Sequence, residues 1–279
     1  MWAFLNGAIV PERDAVIPVH DRGFLYGDGA FETIRVCRSR AFRLADHLER
    51  LAGGAAFLKI KLPFSRSELQ RHTADLIARN AFSDAILRIT LTRGAGERGY
   101  SPRGADHPTL AMTLHPAPPL DAARATEWTV MTASHRVPAG DALAGFKSAN
   151  KLINILARME AEEQGANEAL LLNTAGEVAE AASANLFWIS DGKILTPPVA
   201  TGILPGVTRS VVLELCRTRR LPAIERATRL AELQNAQAIF LTQSAFGVIA
   251  VTRLDGSPVP ASPLVAELHR AFCEAMELE

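Results

Sequence analysis

Gly145-Phe146-Lys147-Ser148-Ala149-Asn150-Lys151-Leu152-Ile153-Asn154-Ile155-Leu156-Ala157-Arg158-Met159-Glu160-Ala161-Glu162-Glu163-Gln164-Gly165 is the stretch around which the chain is ordered. Its second half reads as a helix: Leu152, Ile155, Leu156 and Met159 fall on one apolar stripe, and Gly165 stops it. Its first half carries Lys147 beside a phenylalanine, after an approach rich in alanine and glycine. Lysine is scarce here, with Lys59, Lys61, Lys147, Lys151 and Lys193 the whole set. A lysine in a partly apolar pocket loses its proton more readily and then condenses with carbonyls. A lysine just ahead of a helix is ordinarily solvated, so the flanking material has to decide.

At 279 residues the chain has room for one large domain or two unequal ones. Its formal net charge is zero, which gives no electrostatic case for nucleic acid or an anionic membrane surface. Cys37, Cys216 and Cys273 are an odd, scattered set without CxxC spacing. They read as reduced thiols, neither a disulfide framework nor a metal site. The first residues meet a polar turn at Asn6-Gly7 too early for a signal peptide, and no apolar run approaches membrane-spanning length. A soluble, cytoplasmic protein is expected.

Trp2–Leu5 and Ala8–Val10 around Asn6-Gly7 read as a β-hairpin. Asp21-Arg22-Gly23-Phe24-Leu25-Tyr26-Gly27-Asp28-Gly29-Ala30-Phe31-Glu32-Thr33 is glycine-rich and passes into a strand over Phe31–Val36. A helix over Leu44–Leu58 turns Leu44, Leu48, Leu51 and Ala55 inward, with Arg50 elsewhere on its surface. Ser65–Asn80 is a second helix, opened by a capping box of Ser65 with Glu68. Ala85–Thr92 and Thr109–Leu114 are strands around the loop Arg93-Gly94-Ala95-Gly96-Glu97-Arg98-Gly99-Tyr100-Ser101-Pro102. The proline-rich run from His115 to Pro119 marks a boundary. The expected organisation is a small domain over 1–115, a linker over 116–124 and a larger domain over 125–279. In the larger part, strands at Trp128–Thr132, Glu168–Leu172, Asn185–Ile189, Ala238–Thr242 and Gly247–Val251 mix with helices at Val207–Arg217 and Pro263–Met276. That order favours an α+β fold over a doubly wound sheet.

Three further places suit a phosphorylated cofactor. Thr201-Gly202-Ile203-Leu204-Pro205-Gly206-Val207-Thr208-Arg209 opens a helix, where backbone N–H groups and the Thr208 hydroxyl can take an anion. An ordinary capped helix start is the alternative. Glu180 lies among small residues just ahead of a strand, where a buried carboxylate needs a cationic or protonated partner; a loop glutamate facing solvent is the plainer alternative. Thr242-Gln243-Ser244 ends an apolar strand with hydroxyls that could join a phosphate shell.

Together these stretches resemble the aminotransferase class IV family, the fold-type IV pyridoxal-phosphate enzymes. The likeness runs from Asp21-Arg22-Gly23 through Tyr26-Gly27-Asp28-Gly29-Ala30-Phe31-Glu32-Thr33 to Gly247-Val248. It implies a two-domain α+β architecture and pyridoxal 5'-phosphate as cofactor. Lys147 matches the lysine that holds the cofactor covalently, and Arg50, in His47-Leu48-Glu49-Arg50-Leu51, matches a phosphate-binding arginine. Val207 and Thr208 match phosphate-binding groups at the helix start, Ser244 a further contact, and Glu180 the carboxylate on the pyridine nitrogen. Arg98, Tyr100, Tyr26 and Phe31 match substrate-facing positions. Family members work as homodimers whose loops cross to the partner, so a homodimer is implied.

The Arg98-Gly99-Tyr100 loop and the run Ala184-Asn185-Leu186-Phe187-Trp188 resemble the lyase subgroup. Leu152 stands where branched-chain aminotransferases tend to carry tyrosine. The resemblance therefore implies a lyase removing pyruvate from 4-amino-4-deoxychorismate to leave 4-aminobenzoate, for folate synthesis. The competing expectation is a transaminase acting between an amino acid (D- or branched-chain) or amine and a 2-oxo acid. A binding protein without catalysis is the third possibility, and the presence of Lys147, Arg50, Glu180 and Thr208 together argues against it.

Overall fold

The computed structural model describes residues 1–278, and these divide into two compact units. One comprises Met1–Pro118 together with Phe146–Asn150; the other comprises Pro119–Gly145 and Lys151–Leu278. The division between Pro118 and Pro119 falls inside the expected linker. The assignment of Phe146–Asn150 differs from expectation, because this segment, Lys147 included, packs with the N-terminal unit. The reason is backbone pairing: Ala30 and Ser148 form an antiparallel bridge between distant parts of the chain.

The N-terminal unit holds β1 (Trp2–Leu5), β2 (Ala8–Pro11), α1 (Arg22–Tyr26), β3 (Gly29–Cys37), β4 (Arg40–Ala41), α2 (Leu44–Leu58), α3 (Arg66–Asn80), β5 (Ala85–Thr92) and β6 (Thr109–Pro116). Its sheet runs β2-β1-β6-β5-β3-β4, with antiparallel neighbours throughout. Strand alternation decides its core. Ala85, Leu87, Ile89 and Leu91 of β5 are fully buried, and they join Ile34 and Val36 of β3, Leu48 and Leu51 of α2, and Leu69 and Leu76 of α3. Each such large apolar side chain contributes about 1.5–3 kcal/mol by leaving water. The turn at Asn6-Gly7 has positive φ at both residues (48° and 102°), as a tight hairpin with right-handed strand twist requires. The Ser65 capping box forms as expected, with the hydroxyl taking the Glu68 N–H and the Glu68 carboxylate taking the Ser65 N–H. The short α1 is an addition to the glycine-rich stretch expected from the sequence. Asp21 creates it by capping Gly23 N–H at 2.7 Å while its carboxylate takes the hydroxyls of Thr92 and Thr109.

The C-terminal unit holds β7 (Thr126–Val137), α4 (Leu152–Glu163), β8 (Glu168–Asn173), β9 (Val178–Ala181), β10 (Asn185–Ser190), β11 (Lys193–Thr196), α5 (Val207–Thr218), β12 (Ala223–Glu225), α6 (Leu230–Leu233), β13 (Ala238–Gln243), β14 (Gly247–Leu254), β15 (Ser257–Pro258) and α7 (Pro263–Leu278). The sheet runs β12-β11-β10-β13-β14-β7-β8-β9, with β15 beside β14. It is mixed: β11/β12, β14/β7 and β7/β8 are parallel and the remaining pairs antiparallel. The fold is therefore α+β.

The apolar stripe of α4 forms as read from the sequence but does not face the core of this chain: Leu152, Ile155, Leu156 and Met159 are 67%, 53%, 37% and 51% exposed. The buried face is Ala157 and Ala161, which pack with Met131 and Ala133 of β7 and Ala169 and Leu171 of β8. Small residues let the helix backbone come close to the strands, so the large ones are left outside.

Candidate active site

Lys147 lies in a segment seated on the start of β3. Phe31 N–H donates to the Lys147 carbonyl at 2.8 Å, and Ala149 N–H donates to the Gly29 carbonyl at 2.9 Å. Phe146 is buried against α2, where Gly54 makes room for it; a Cβ at Gly54 would lie 3.2 Å from the Phe146 side chain. Backbone and neighbour are thus fixed, and the half-buried lysine side chain projects with Nζ 4.9 Å from the centre of the Phe31 ring. The guanidinium of Arg88, on β5, lies 3.9 Å from the same centre. An aromatic face attracts cations, and two cations about one ring make a patch suited to a carboxylate.

Behind this patch is a buried ionic trio. Glu32, on β3, is 1% exposed and accepts from Arg50 through Nε (2.8 Å) and Nη2 (2.6 Å). His47 Nδ1 lies 2.7 Å from Glu32 Oε2. Position alternation puts Glu32 on the β3 face that α2 covers, and His47 and Arg50 are three apart on α2, hence on one side of that helix. Burial raises the Glu32 carboxyl, but the Arg50 and His47 hydrogen bonds outweigh it and leave it below the usual carboxylate value. Burial also lowers His47, with the charges of Arg50 and Lys147 adding to the effect against the pull of Glu32. A neutral imidazole whose Nδ1–H donates to the carboxylate fits both directions. The helical stripe leaves Arg50 on the outer surface of α2; its side chain is in fact 10% exposed, because Glu32 draws it in.

The C-terminal unit carries the candidate anion cradle and the second candidate carboxylate. Helix α5 begins at Val207 after Gly206, and no side chain caps it, so its first N–H groups point outward beside the buried Thr208 hydroxyl. Glu180, on β9, accepts from Asn185 Nδ2 at 2.9 Å and from Leu204 N–H at 3.0 Å through one oxygen, Oε2. Asn185 Nδ2 also donates to the Leu204 carbonyl, and a Cβ at Gly206 would meet Asn185 Oδ1 at 2.0 Å, so glycine is required there. Thr242 stands opposite Asn185 in the β10/β13 register. Its hydroxyl is buried and has no partner among the described residues. Ser244 is half-buried in the turn that follows β13.

The loop between β5 and β6 leaves Arg98 exposed and Tyr100 89% exposed. Tyr26 reaches this loop rather than open space: its hydroxyl accepts from Gly99 N–H at 3.0 Å, and its ring lies 5.8 Å from that of Tyr100. Of the expected residues, Lys147 and Phe31 come together directly, with Arg50 joined to them through Glu32 and His47. Arg98 and Tyr100 lie on the loop, and Tyr26 of α1 contacts it. Glu180, Val207, Thr208 and Ser244 belong to the C-terminal unit. Sequence reading passed over Glu32, His47, Arg88 and Asn185 as site residues; Thr242 was singled out with Ser244 as a hydroxyl for a phosphate shell. A carboxylate at an inward strand position was a usable signal for Glu32, since such a group is buried only with partners; Arg88 needs the β3/β5 register, which is not local.

The amino-transferase class IV model matches residues 29–254. A Methanocaldococcus jannaschii protein provisionally named as a branched-chain-amino-acid aminotransferase is 36% identical over 92% of this chain and 88% of its own. The D-alanine aminotransferase of Bacillus licheniformis is 32% identical over 98% and 96%, and the aminodeoxychorismate lyase of Bacillus subtilis 30% over 90% and 86%. Among solved structures, the branched-chain aminotransferase of Thermoproteus uzoniensis with norvaline has a TM-score of 0.93 at 26% identity, covering 100% of this chain and 96% of that one. A T.th. branched-chain amino acid aminotransferase with pyridoxamine 5'-phosphate has a TM-score of 0.91 at 27% identity, covering 99% and 94%. With a family match over most of its length and relatives above 30% identity nearly end to end, this chain belongs to the amino-transferase class IV family of pyridoxal-phosphate-dependent aminotransferases and lyases.

Proposed function

We propose that the chain is a pyridoxal 5'-phosphate enzyme that moves an amino group between an amino acid and a 2-oxo acid. The observation that carries this reading is Lys147, its backbone pinned to β3 and its Nζ held over Phe31 beside Arg88. The residues fit the cofactor: the uncapped start of α5 and the orphaned Thr242 hydroxyl are groups that a phosphate ester would satisfy. In the N-terminal unit, Lys147 would hold the cofactor covalently and serve as the proton carrier at Nζ, and Arg50, aimed by Glu32, would offer a cation to phosphate. In the C-terminal unit, Val207, Thr208 and Ser244 would offer phosphate contacts, and Glu180 would favour a protonated ring nitrogen. Pyridoxal phosphate supplies, when bound, an electron sink for the charge left by breaking Cα–H. Arg98, with Tyr100 beside it, anchors the substrate carboxylate, and Arg88 adds a second cation near Phe31.

Transfer ranks ahead of elimination because the relatives at 36% and 32% identity are named as aminotransferases. The second reading is pyruvate elimination from 4-amino-4-deoxychorismate, favoured by the Arg98-Gly99-Tyr100 loop and by the lyase relative at 30% identity. A substrate panel decides between them. Amino transfer predicts that L- or D-amino acids convert the cofactor spectrum and that a 2-oxo acid restores it. Pyruvate release from 4-amino-4-deoxychorismate, with no amino acid converting the spectrum, would reverse the order.

A homodimer belongs to the same proposal, supported by the exposed stripe of α4: Leu152, Ile155, Leu156 and Met159, flanked by Ile153. A contiguous apolar face of this kind is costly in water. Ile155→Glu with Met159→Glu is expected to convert a dimer to monomer in light scattering, and a monomeric wild type would refute it. Cys37, Cys216 and Cys273 form no disulfide among the described residues, which suits a reducing compartment, and the cytoplasm is the location we propose. No described helix is long and apolar enough to cross a membrane.

A further inference from the structure

Asp21-Arg22-Gly23 takes no part in the roles above, yet Arg22 is 3% exposed. A buried arginine persists only where its charge and N–H groups are met. Nε donates to Asp28 Oδ2 at 2.9 Å, Nη1 to the carbonyls of Gly99 (2.9 Å) and Ser101 (3.1 Å), and Nη2 to the carbonyl of Tyr100 (3.1 Å). Three consecutive carbonyls therefore converge on one guanidinium. That convergence needs an unusual backbone at Gly99, whose φ is +108°. Arg22 in turn rests on Tyr26, its Cζ 4.9 Å from the ring centre, and the Tyr26 hydroxyl takes the Gly99 N–H.

The start of the same loop is fastened to the same carboxylate. Arg93 donates to Asp28 through Nε at 2.8 Å and Nη2 at 3.0 Å, and its Nη2 also reaches the Leu58 carbonyl. Burial raises the Asp28 carboxyl, but the hydrogen bonds and charges of Arg93 and Arg22 outweigh it and hold it below the usual value. Between two fastened ends, the side chains of Arg98 and Tyr100 remain outside. An exposed loop with no core of its own is thus ordered by one buried side chain from a distant part of the sequence.

We propose that Arg22 is a positioning residue for substrate recognition, setting the pose of the Arg93–Pro102 loop and thereby the carboxylate affinity exerted through Arg98. The inference rests on the reading of Arg98 as a carboxylate anchor. A planar fork is needed: a lysine at this position could meet Asp28 and one carbonyl, but not three carbonyls in sequence.

The test compares Arg22→Met, Arg22→Lys, Arg98→Ala and the Arg22→Met/Arg98→Ala pair, each loaded with pyridoxal phosphate. Arg22→Met is expected to speed tryptic and chymotryptic cleavage at Arg98 and Tyr100 about tenfold or more. KM for carboxylate substrates is expected to rise about tenfold, with kcat within about twofold and the cofactor absorbance unchanged. Arg22→Lys should fall between, and it serves alone if Arg22→Met does not accumulate. The double variant should match Arg98→Ala, since both changes act through one side chain. Wild-type cleavage and KM in the Arg22 variants, or an Arg22→Met effect that adds in full to Arg98→Ala, overturns the proposal. If Arg98→Ala leaves KM unchanged, the affinity claim is overturned through the substrate reading, and continued fast cleavage of Arg22→Met identifies that reading as what failed.

Discussion

Lys147→Ala is expected to lower the proposed amino transfer by about 10⁴-fold or more, because in that reading one side chain both attaches the cofactor and carries the proton. The absorbance of the wild-type cofactor at about 410–420 nm should disappear with it. The fold should survive. The contacts that seat this segment are made by the backbone of Lys147 and Ala149 and by the ring of Phe146, none of which the substitution removes. Far-ultraviolet dichroism and the unfolding midpoint are thus expected to stay near wild type while activity is lost. Phosphate anchoring does not depend on the lysine either, so the variant should still take up pyridoxal phosphate non-covalently and release it on gel filtration. A Lys147→Ala protein that keeps the band would mean that Lys151 or another amine carries the cofactor.

Glu32→Ala is expected to be the most destabilising single change, at about 3–5 kcal/mol, because it leaves the Arg50 charge buried without its carboxylate. The cost is read as a fall in the denaturation midpoint; an unaltered midpoint would show that Arg50 and His47 find other partners. The same trio predicts the response to acid. Glu32 is held below its ordinary value of 4.5, so its contribution is complete above that pH and is lost as pH falls through its lowered folded value. His47 is held below its ordinary value of 6.5 and is neutral in the fold. Its contribution is complete above 6.5 and declines as pH falls below it. Both groups act in one direction, so the melting temperature of wild type should drop between about pH 7 and pH 4. Glu32→Gln should remove the later part of that drop and still suffer the loss of charge pairing.

Much of the architecture was legible because it is local. Alternation in Ala85–Thr92 matches β5 residue for residue, the Ser65 capping box marks the start of α3, and Asn6-Gly7 marks the hairpin turn. The site residues were legible only as types in order. Periodicity identified the stripe on α4 but carries no information about what covers it; alanines on the opposite face made the closer packing. Arg88 reaches Phe31 diagonally across the β3/β5 ladder, a relation fixed by register between strands far apart in the chain. Arg22 looked like one letter of a glycine-rich loop because its partners, Gly99 to Ser101, are distant in sequence. Glu32 stood in plain view at an inward strand position, and His47 and Arg50 three apart on the next helix were the matching signal.

Seating Phe146–Asn150 on β3 means that the polypeptide passes from one unit to the other three times. Neither unit is therefore a continuous piece of the gene. A chimera joined to a relative between Pro118 and Pro119 would take Lys147 from one parent and the strand that seats it from the other. Recombination at the apparent domain border would break the lysine's setting even when both halves are sound. Fragments made by a single cut there would have to be reunited before either regained its full set of backbone partners.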